Sequence, residues 1–292
     1  MPRKFLITTD STTDFDAGYI KEHDIHMVPL SFQLEGKLYP DLNAGDGGDY
    51  KWFYDQLRHG AMPTTTQVNP GDARDFFEPL IKEGYDILHL AFSSGLSGTY
   101  GSMVVAADDL MAEYPDCKIV VIDSLCASLG EGLLYHHMRR LQDEGKTLEE
   151  IADWTEKNKL KVCHIVIADD LHHLQRGGRV SKTTAIVGTM LGIKPIIHLL
   201  DEGKLIPVGK TRGRKAGIKN LLDTMAEKFV PEENDCVYIC HADCLDDAQA
   251  MAAEIRRRFG VKEIYINYIG AVIGSHTGTG TMSIFFMGDK RQ

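Results

Sequence analysis

The chain has 292 residues, 43% of them hydrophobic and 25% charged, with a net charge of −10. That length suits two domains of about 150 residues or one large α/β domain, and the composition excludes disorder, collagen and a coiled-coil rod. An acidic chain lacks the broad basic surface that non-specific nucleic-acid binding needs, so no nucleic-acid partner is expected.

The first strand is expected at Lys4–Thr9, ending in the polar run Thr9-Asp10-Ser11-Thr12-Thr13-Asp14. The apolar run before Thr8 is too short for a signal peptide. A helix pattern over 15–23, a second strand over 26–32, and helices over 50–58 and 72–82 follow. Between those two helices, Pro63-Thr64-Thr65-Thr66-Gln67-Val68-Asn69-Pro70 is expected to be a polar loop. A strand over 86–92 leads into Ser93-Ser94-Gly95-Leu96-Ser97-Gly98-Thr99 and a long helix to about Glu113. Residues 118–122 form a strand ending in Asp123-Ser124, and helices over 130–144 and 148–157 follow. Strands alternating with helices of this length indicate βαβ units and a parallel sheet.

The character changes near Leu160, where a domain boundary is placed, giving domains over 1–160 and 161–292. The second part opens with a strand over 162–168 and Gln175-Arg176-Gly177-Gly178-Arg179-Val180-Ser181, then an apolar helix over 184–191. Gly203 marks a hairpin between 196–200 and 204–210. Helices over 214–228 and 246–259 flank a strand over 236–241, and strands over 262–267 and 281–287 follow. Four glycines at 270, 274, 278 and 280 punctuate a loop around His276.

Ligands of open parallel sheets gather at the carboxyl ends of strands, where three polar runs fall: 9–14, 93–99 and 123–124. The hydroxyls and glycines of 93–99 suit an anion at a helix N-terminus, and helix capping by Ser97 or Thr99 explains the same residues. Residues 64–67 offer three hydroxyls and a carboxamide to an oxygen-rich head group, or form a solvated loop. His276 suits carboxylate binding or acid/base work. Arg176, Arg179, Arg212 and Arg214 are basic spots whose guanidinium forks suit phosphate, and solvated turns explain them equally. The six cysteines are read as reduced thiols of a cytoplasmic protein. Cys236, Cys240 and Cys244 lack the paired spacing of zinc sites, so no metal is expected. Nor is there a GxSxG elbow, Walker A loop or GxGxxG fingerprint.

Taken in order from residue 9 to 280, these runs resemble the DegV family, the fatty-acid-binding subunits of bacterial fatty acid kinases. The pieces are Thr9–Asp14, Pro63–Gln67, Ser93–Tyr100, Asp123-Ser124 with Ser128 and Gly130, Leu174–Ser181, Lys194–Ile197, Arg212–Arg214 and Ile273–Gly278. The sequence departs from the family pattern at Thr66, where Ser is usual, and at Thr279, where Pro is frequent.

The resemblance implies an α/β fold of two domains, an N-terminal three-layer domain on a parallel sheet and a C-terminal two-layer domain on a mixed sheet. It implies one buried long-chain fatty acid and no other cofactor. The fatty-acid carboxylate would be held by Thr65, Ser94 (with Ser93 as the neighbouring alternative) and His276. Arg176 is implicated in kinase docking and phosphoryl transfer, with Arg179 and Arg212 as alternatives. The implied partner is a separate ATP-binding kinase subunit, with transient contact to a membrane surface. Ile186, Val187, Met190, Leu191 and Ile193 are candidates to line an acyl tunnel, and core packing explains them as well. The expected protein is a carrier without a catalytic motif of its own. A Ser/His acyl hydrolase or transferase using Ser94 or Ser97, and a carrier of another small anionic lipid, are the alternatives.

Overall fold

The computed structural model describes residues 4–42, 48–181 and 192–291. Thirteen strands run in chain order: β1 (Phe5–Asp10), β2 (His26–Val28), β3 (Ser31–Leu34), β4 (Lys37–Pro40), β5 (Thr64–Thr66), β6 (Asp86–Ala91), β7 (Ile119–Asp123), β8 (Val162–Ile167), β9 (Ile193–Leu199), β10 (Leu205–Arg212), β11 (Cys236–His241), β12 (Glu263–Tyr268) and β13 (Met282–Met287). They build three sheets. The first is four-stranded and parallel, ordered β2-β1-β6-β7. The second is six-stranded and mixed, ordered β10-β9-β8-β13-β11-β12, with β11 and β12 its one parallel pair. The third is a small antiparallel sheet, β4-β3-β5. The fold is thus α/β, with a parallel-sheet N-terminal domain and a mixed-sheet C-terminal domain.

Two expectations change. The strand expected over 26–32 breaks at Pro29 into β2 and β3, which join different sheets, because proline donates no ladder hydrogen bond. The threonine run expected as a loop is strand β5, paired with β3 through Phe32 opposite Thr65. Consecutive β-branched residues favour that extended backbone.

Helices Pro70–Lys82 and Thr99–Glu113 cover one face of the parallel sheet, burying Phe77, Leu80, Met103 and Leu110. Helices Arg214–Lys228 and Leu245–Phe259 cover one face of the mixed sheet, burying Leu221, Met225, Met251 and Ile255. Between the two sheets lies the helix Leu129–Asp143, packed against β1 on one side and β8, β11 and β13 on the other. Its first seven residues and Met138 are all buried.

Gly130 and Gly132 lie about 200° apart around this helix, so they face opposite ways. A Cβ on Gly130 would lie 2.2 Å from His164 Nε2 and 2.7 Å from the Phe285 ring. One on Gly132 would lie 3.0 Å from the Phe15 ring and the Thr13 carbonyl. Each glycine lets one sheet's layer approach the helix backbone.

The turn after β1 buries four carboxyl groups with no cation among them. Asp10 and Glu131 share the Thr12 hydroxyl, and Asp14 accepts from Ser128. Asp41 accepts from the Ser11 hydroxyl at 3.0 Å and from the amides of Leu42 and Val272 at 3.0 and 3.2 Å. It therefore caps the helix Ala271–Thr277, whose own N-cap, Gly270, offers no side chain. Burial pushes all four carboxyls up, Asp41 to about 6.

Two outcomes follow from this packing. Alanine is about 1 kcal/mol better than glycine in a helix interior, yet overpacking costs about 1–3 kcal/mol. Gly130→Ala should therefore lower stability in denaturant titrations, and by more than Gly132→Ala; a gain in stability would mean the helix does not make this close contact. The second concerns Asp41. Its pKa is about 6 folded against an ordinary 3.8, so the folded chain holds this proton more tightly. Its contribution is fully present below the unfolded pKa and is lost as pH rises through about 6. That shift corresponds to about 3 kcal/mol. Asp41→Asn should thus compare less favourably with wild type at pH 4 than at pH 7 in thermal melts. Parallel profiles would contradict the buried charge.

Candidate functional site

A cavity of about 460 Å³ opens where β5, the turn 92–97, the turn at Ala127 and the helix Ala271–Thr277 converge. Its wall is polar at one end, with Thr65, Thr66, Gln67, Ser97, Arg179 and His276. The rest of the wall is mostly apolar, with Leu30, Phe92, Leu96, Leu174 and Ile273.

The polar end centres on Thr65 and His276, whose Oγ1 and Nε2 lie 2.8 Å apart. The sequence suggests a glycine-punctuated loop around His276; the structure places it on the last turn of a helix. Gly177 packs directly on the imidazole, and a Cβ there would lie 2.1 Å from Nδ1. Nδ1 is buried without a hydrogen-bond partner. Burial, then the charges of Arg179, Arg176 and His173, push the pKa of His276 down to about 3, so the ring is neutral at physiological pH. With its proton on Nε2, His276 donates either to Thr65 or to an acceptor that enters the cavity beside it, and the Thr65 hydroxyl proton is free for the same acceptor.

Arg179 supplies charge to this wall. Its Nε donates to the Leu96 carbonyl at 3.1 Å and its Nη1 to the Gly177 carbonyl at 2.6 Å. Among the described residues no carboxylate pairs with it. Burial lowers its pKa from the usual guanidinium value. A half-buried cation without a counter-ion makes this end of the cavity receptive to an anion.

The turn 93–97 is arranged differently from the sequence expectation. Ser93 is buried, but its hydroxyl donates to the Gly203 carbonyl at 2.8 Å and accepts from the Gly95 amide at 3.2 Å. Ser94 is exposed and absent from the described cavity wall, and its amide donates to Asp123. The amides of Leu96 and Ser97 both close on the Ser93 carbonyl, and this tight turn brings Leu96 and Ser97 into the wall. Ser97 Oγ accepts from the Thr99 amide at 3.2 Å and sits 3.0 Å from Thr99 Oγ1. The N-cap of the following helix is Gly98, without a side-chain cap, and Ser97 is the serine of this turn that faces the cavity.

At its apolar end the cavity shares Ala127, Leu174, Leu205, Ile273 and Thr277 with a further hollow of about 50 Å³. The hollow is floored by Val166, Ile197, Cys240, Ile269 and Phe285 from the mixed sheet and its margin. The turn carrying Ala127 is held by its amide, which donates to His164 Nε2 at 3.1 Å. It is also held by the buried Arg291, which donates to the Leu125 carbonyl at 2.7 Å. Of the expected tunnel residues, Ile186, Val187, Met190 and Leu191 lie outside the described residues. Ile193 is half-buried opposite Arg212 in the β9–β10 hairpin, away from both walls. None of the floor residues carries a motif; only their meeting on one sheet face marks them.

The three arginines weighed as alternatives for docking and transfer sit in different settings. Arg176 donates to the Pro63 carbonyl through both terminal nitrogens at 3.2 Å and to the Ser275 carbonyl at 3.1 Å. It thus ties the chain before Thr65 to the chain before His276. Asp169, seven positions before Arg176, pairs with Lys194 and Arg214 and not with Arg176. Arg179 faces the cavity, and Arg212 is exposed at the end of β10.

Residues 4–289 match the family described as "Uncharacterised protein, DegV family". A DegV domain-containing protein of Clostridium perfringens is 42% identical over 290 residues, covering 99% of each chain. Among solved structures, a DegV family protein from Thermus thermophilus, described as binding fatty acid, superposes with a TM-score of 0.86 at 29% identity. That match covers 98% of this chain and 100% of the other. DegV of Bacillus subtilis, described as a fatty acid binding protein, superposes with a TM-score of 0.83 at 29% identity, covering 99% and 100%. With a family match over residues 4–289 and a relative 42% identical along 99% of each chain, the chain belongs to the DegV family.

Proposed function

We propose that the protein binds one long-chain fatty acid, with its tail in the apolar part of the cavity and its carboxylate at Thr65 and His276. The observation that carries this reading is the half-buried, neutral Thr65–His276 pair at the polar end of a cavity that turns apolar beyond Ala127. Fatty acid binding in the Thermus thermophilus and Bacillus subtilis relatives supports the same ligand class. Affinity comes from the tail: about 0.8 kcal/mol per buried CH₂ gives a sixteen-carbon acid on the order of 11 kcal/mol before ordering costs. The head group then needs a few aimed donors. Arg179 adds a positive charge, and Arg176 holds the two segments that carry the donors.

The carrier reading is favoured over a Ser/His hydrolase by the hydrogen bonding of His276. Its Nε2 faces Thr65 rather than a serine, and no carboxylate orients Nδ1. A general base needs both a nucleophile in reach and an orienting group. In the full proposal the carrier takes its acid from a membrane or the medium. It presents the carboxylate to a separate ATP-binding kinase subunit, where that carboxylate attacks the γ-phosphorus to give an acyl phosphate and ADP. The exposed Arg212 is the docking residue best separated from the cavity.

Organic extraction of the purified protein followed by mass spectrometry should return one long-chain fatty acid per chain. Another ligand class, or no fatty-acid uptake after delipidation, would overturn the reading. Thr65→Ala and His276→Ala should each weaken binding about ten- to hundredfold by calorimetry, the worth of one hydrogen bond to a charged group. Ser94→Ala should leave affinity unchanged; a loss like that of Thr65→Ala would place the head group at Ser94 instead. Arg212→Ala should bind fatty acid normally but support less acyl-phosphate formation with its cognate kinase. Unchanged turnover would remove Arg212 from docking.

A further inference from the structure

We propose that His136, Asp235 and Cys236 bind one divalent transition-metal ion of the zinc class, joining the helix Leu129–Asp143 to the first residue of β11. One ligand atom from each of the three residues lies within 4.8 Å of the other two. Around a tetrahedral zinc, with bonds of about 2.0–2.3 Å, neighbouring ligand atoms stand about 3.5 Å apart. Closing the set thus takes about 1 Å of side-chain movement, and Asp235 is exposed enough to supply it.

The donor set selects the metal. Magnesium and calcium take oxygen ligands, whereas imidazole with thiolate suits zinc and its softer neighbours. Three protein ligands leave one position for water or a further carboxylate. Glu263 stands opposite Cys236 in the β11–β12 pairing and acts electrostatically on both His136 and Cys236. The surrounding contacts suit a metal site as well. The Tyr19 hydroxyl lies 3.4 Å from His136 Nδ1 and orients the ring. Arg140 engages Oδ2 of Asp235, leaving Oδ1 for a metal. As the Sγ–metal bond forms, the Cys236 thiol proton passes to solvent.

The site is separate from the fatty-acid cavity, whose walls include none of the three residues. It sits on the same strand face as Cys240, which floors the apolar hollow. A bound ion there stiffens the contact between helix and sheet beside the acyl tail. The cysteine spacing in the sequence gives no sign of it, because the histidine comes from a helix 100 positions earlier.

The test is a Co²⁺ titration of the full chain after chelator treatment. One equivalent should develop thiolate-to-cobalt charge-transfer absorption, and Zn²⁺ should displace it and raise the melting temperature. Cys236→Ser should abolish that band while Cys244→Ser keeps it. Asp235→Asn, at an exposed position, should weaken Co²⁺ binding by at least about tenfold without changing fatty-acid affinity. No charge-transfer band in the wild type, a band that survives Cys236→Ser, or Co²⁺ affinity indifferent to both Asp235→Asn and His136→Gln would overturn the proposal.

Discussion

A helix buried on two opposite faces governs this structure. Leu129–Asp143 has the parallel sheet on one side and the mixed sheet on the other, so its first two turns present almost nothing to water. Leucines at 129, 133 and 134 and the ring of Tyr135 fill the space between the layers, while Gly130 and Gly132 set how closely each layer approaches. Glu131 lies between those glycines, and burial keeps its carboxyl well above the usual range. The hydrophobic cluster around this helix takes in Ile7 and Leu88 from the parallel sheet and Tyr238 and Phe285 from the mixed one. The two sheets therefore share a core through one helix.

The ligand cavity follows from that arrangement. The turn that starts the helix has non-glycine residues with positive φ, Leu125 at 49° and Ser128 at 55°, a conformation that costs energy unless surrounding contacts hold it. His164 and Arg291 are among those contacts. Ala127, at the centre of the turn, stands where the polar cavity gives way to the apolar hollow. The proposed head-group donors come from both halves of the chain: Thr65 from the small antiparallel sheet and His276 from a helix between two strands of the mixed sheet. Arg176 and Asp41 fix that helix from its two ends, one through the Ser275 carbonyl and the other through the Val272 amide.

Much of this was legible in the sequence. Strands that end in polar runs, and helices of ten to fifteen residues between them, are local signals that survive folding. The ordered motifs carried the family, and with it the expectation of Thr65 and His276. What escaped is what depends on long-range contact. Thr64–Thr66 reads as a loop because three residues are too few to show alternation, and only pairing with β3 makes them a strand. The choice between Ser94 and Ser97 turns on which way one tight turn points. Arg176 looks like a free basic residue until the Pro63 and Ser275 carbonyls are seen to converge on it. The floor of the hollow joins positions 166, 197, 240, 269 and 285, and no spacing rule relates residues on neighbouring strands and the turns between them. Arg291 is a similar case: it bonds five acceptors in three distant segments, at Leu125-Cys126, at Lys159 and Val162, and at Leu200.

The most direct test of this account is a crystal structure of the delipidated protein reconstituted with palmitate. The account predicts carboxylate oxygens within hydrogen-bonding distance of Thr65 Oγ1 and His276 Nε2, and a tail that passes Ala127 toward Phe285. A carboxylate at the Phe285 end, or an acyl chain lying outside this cavity, would contradict it.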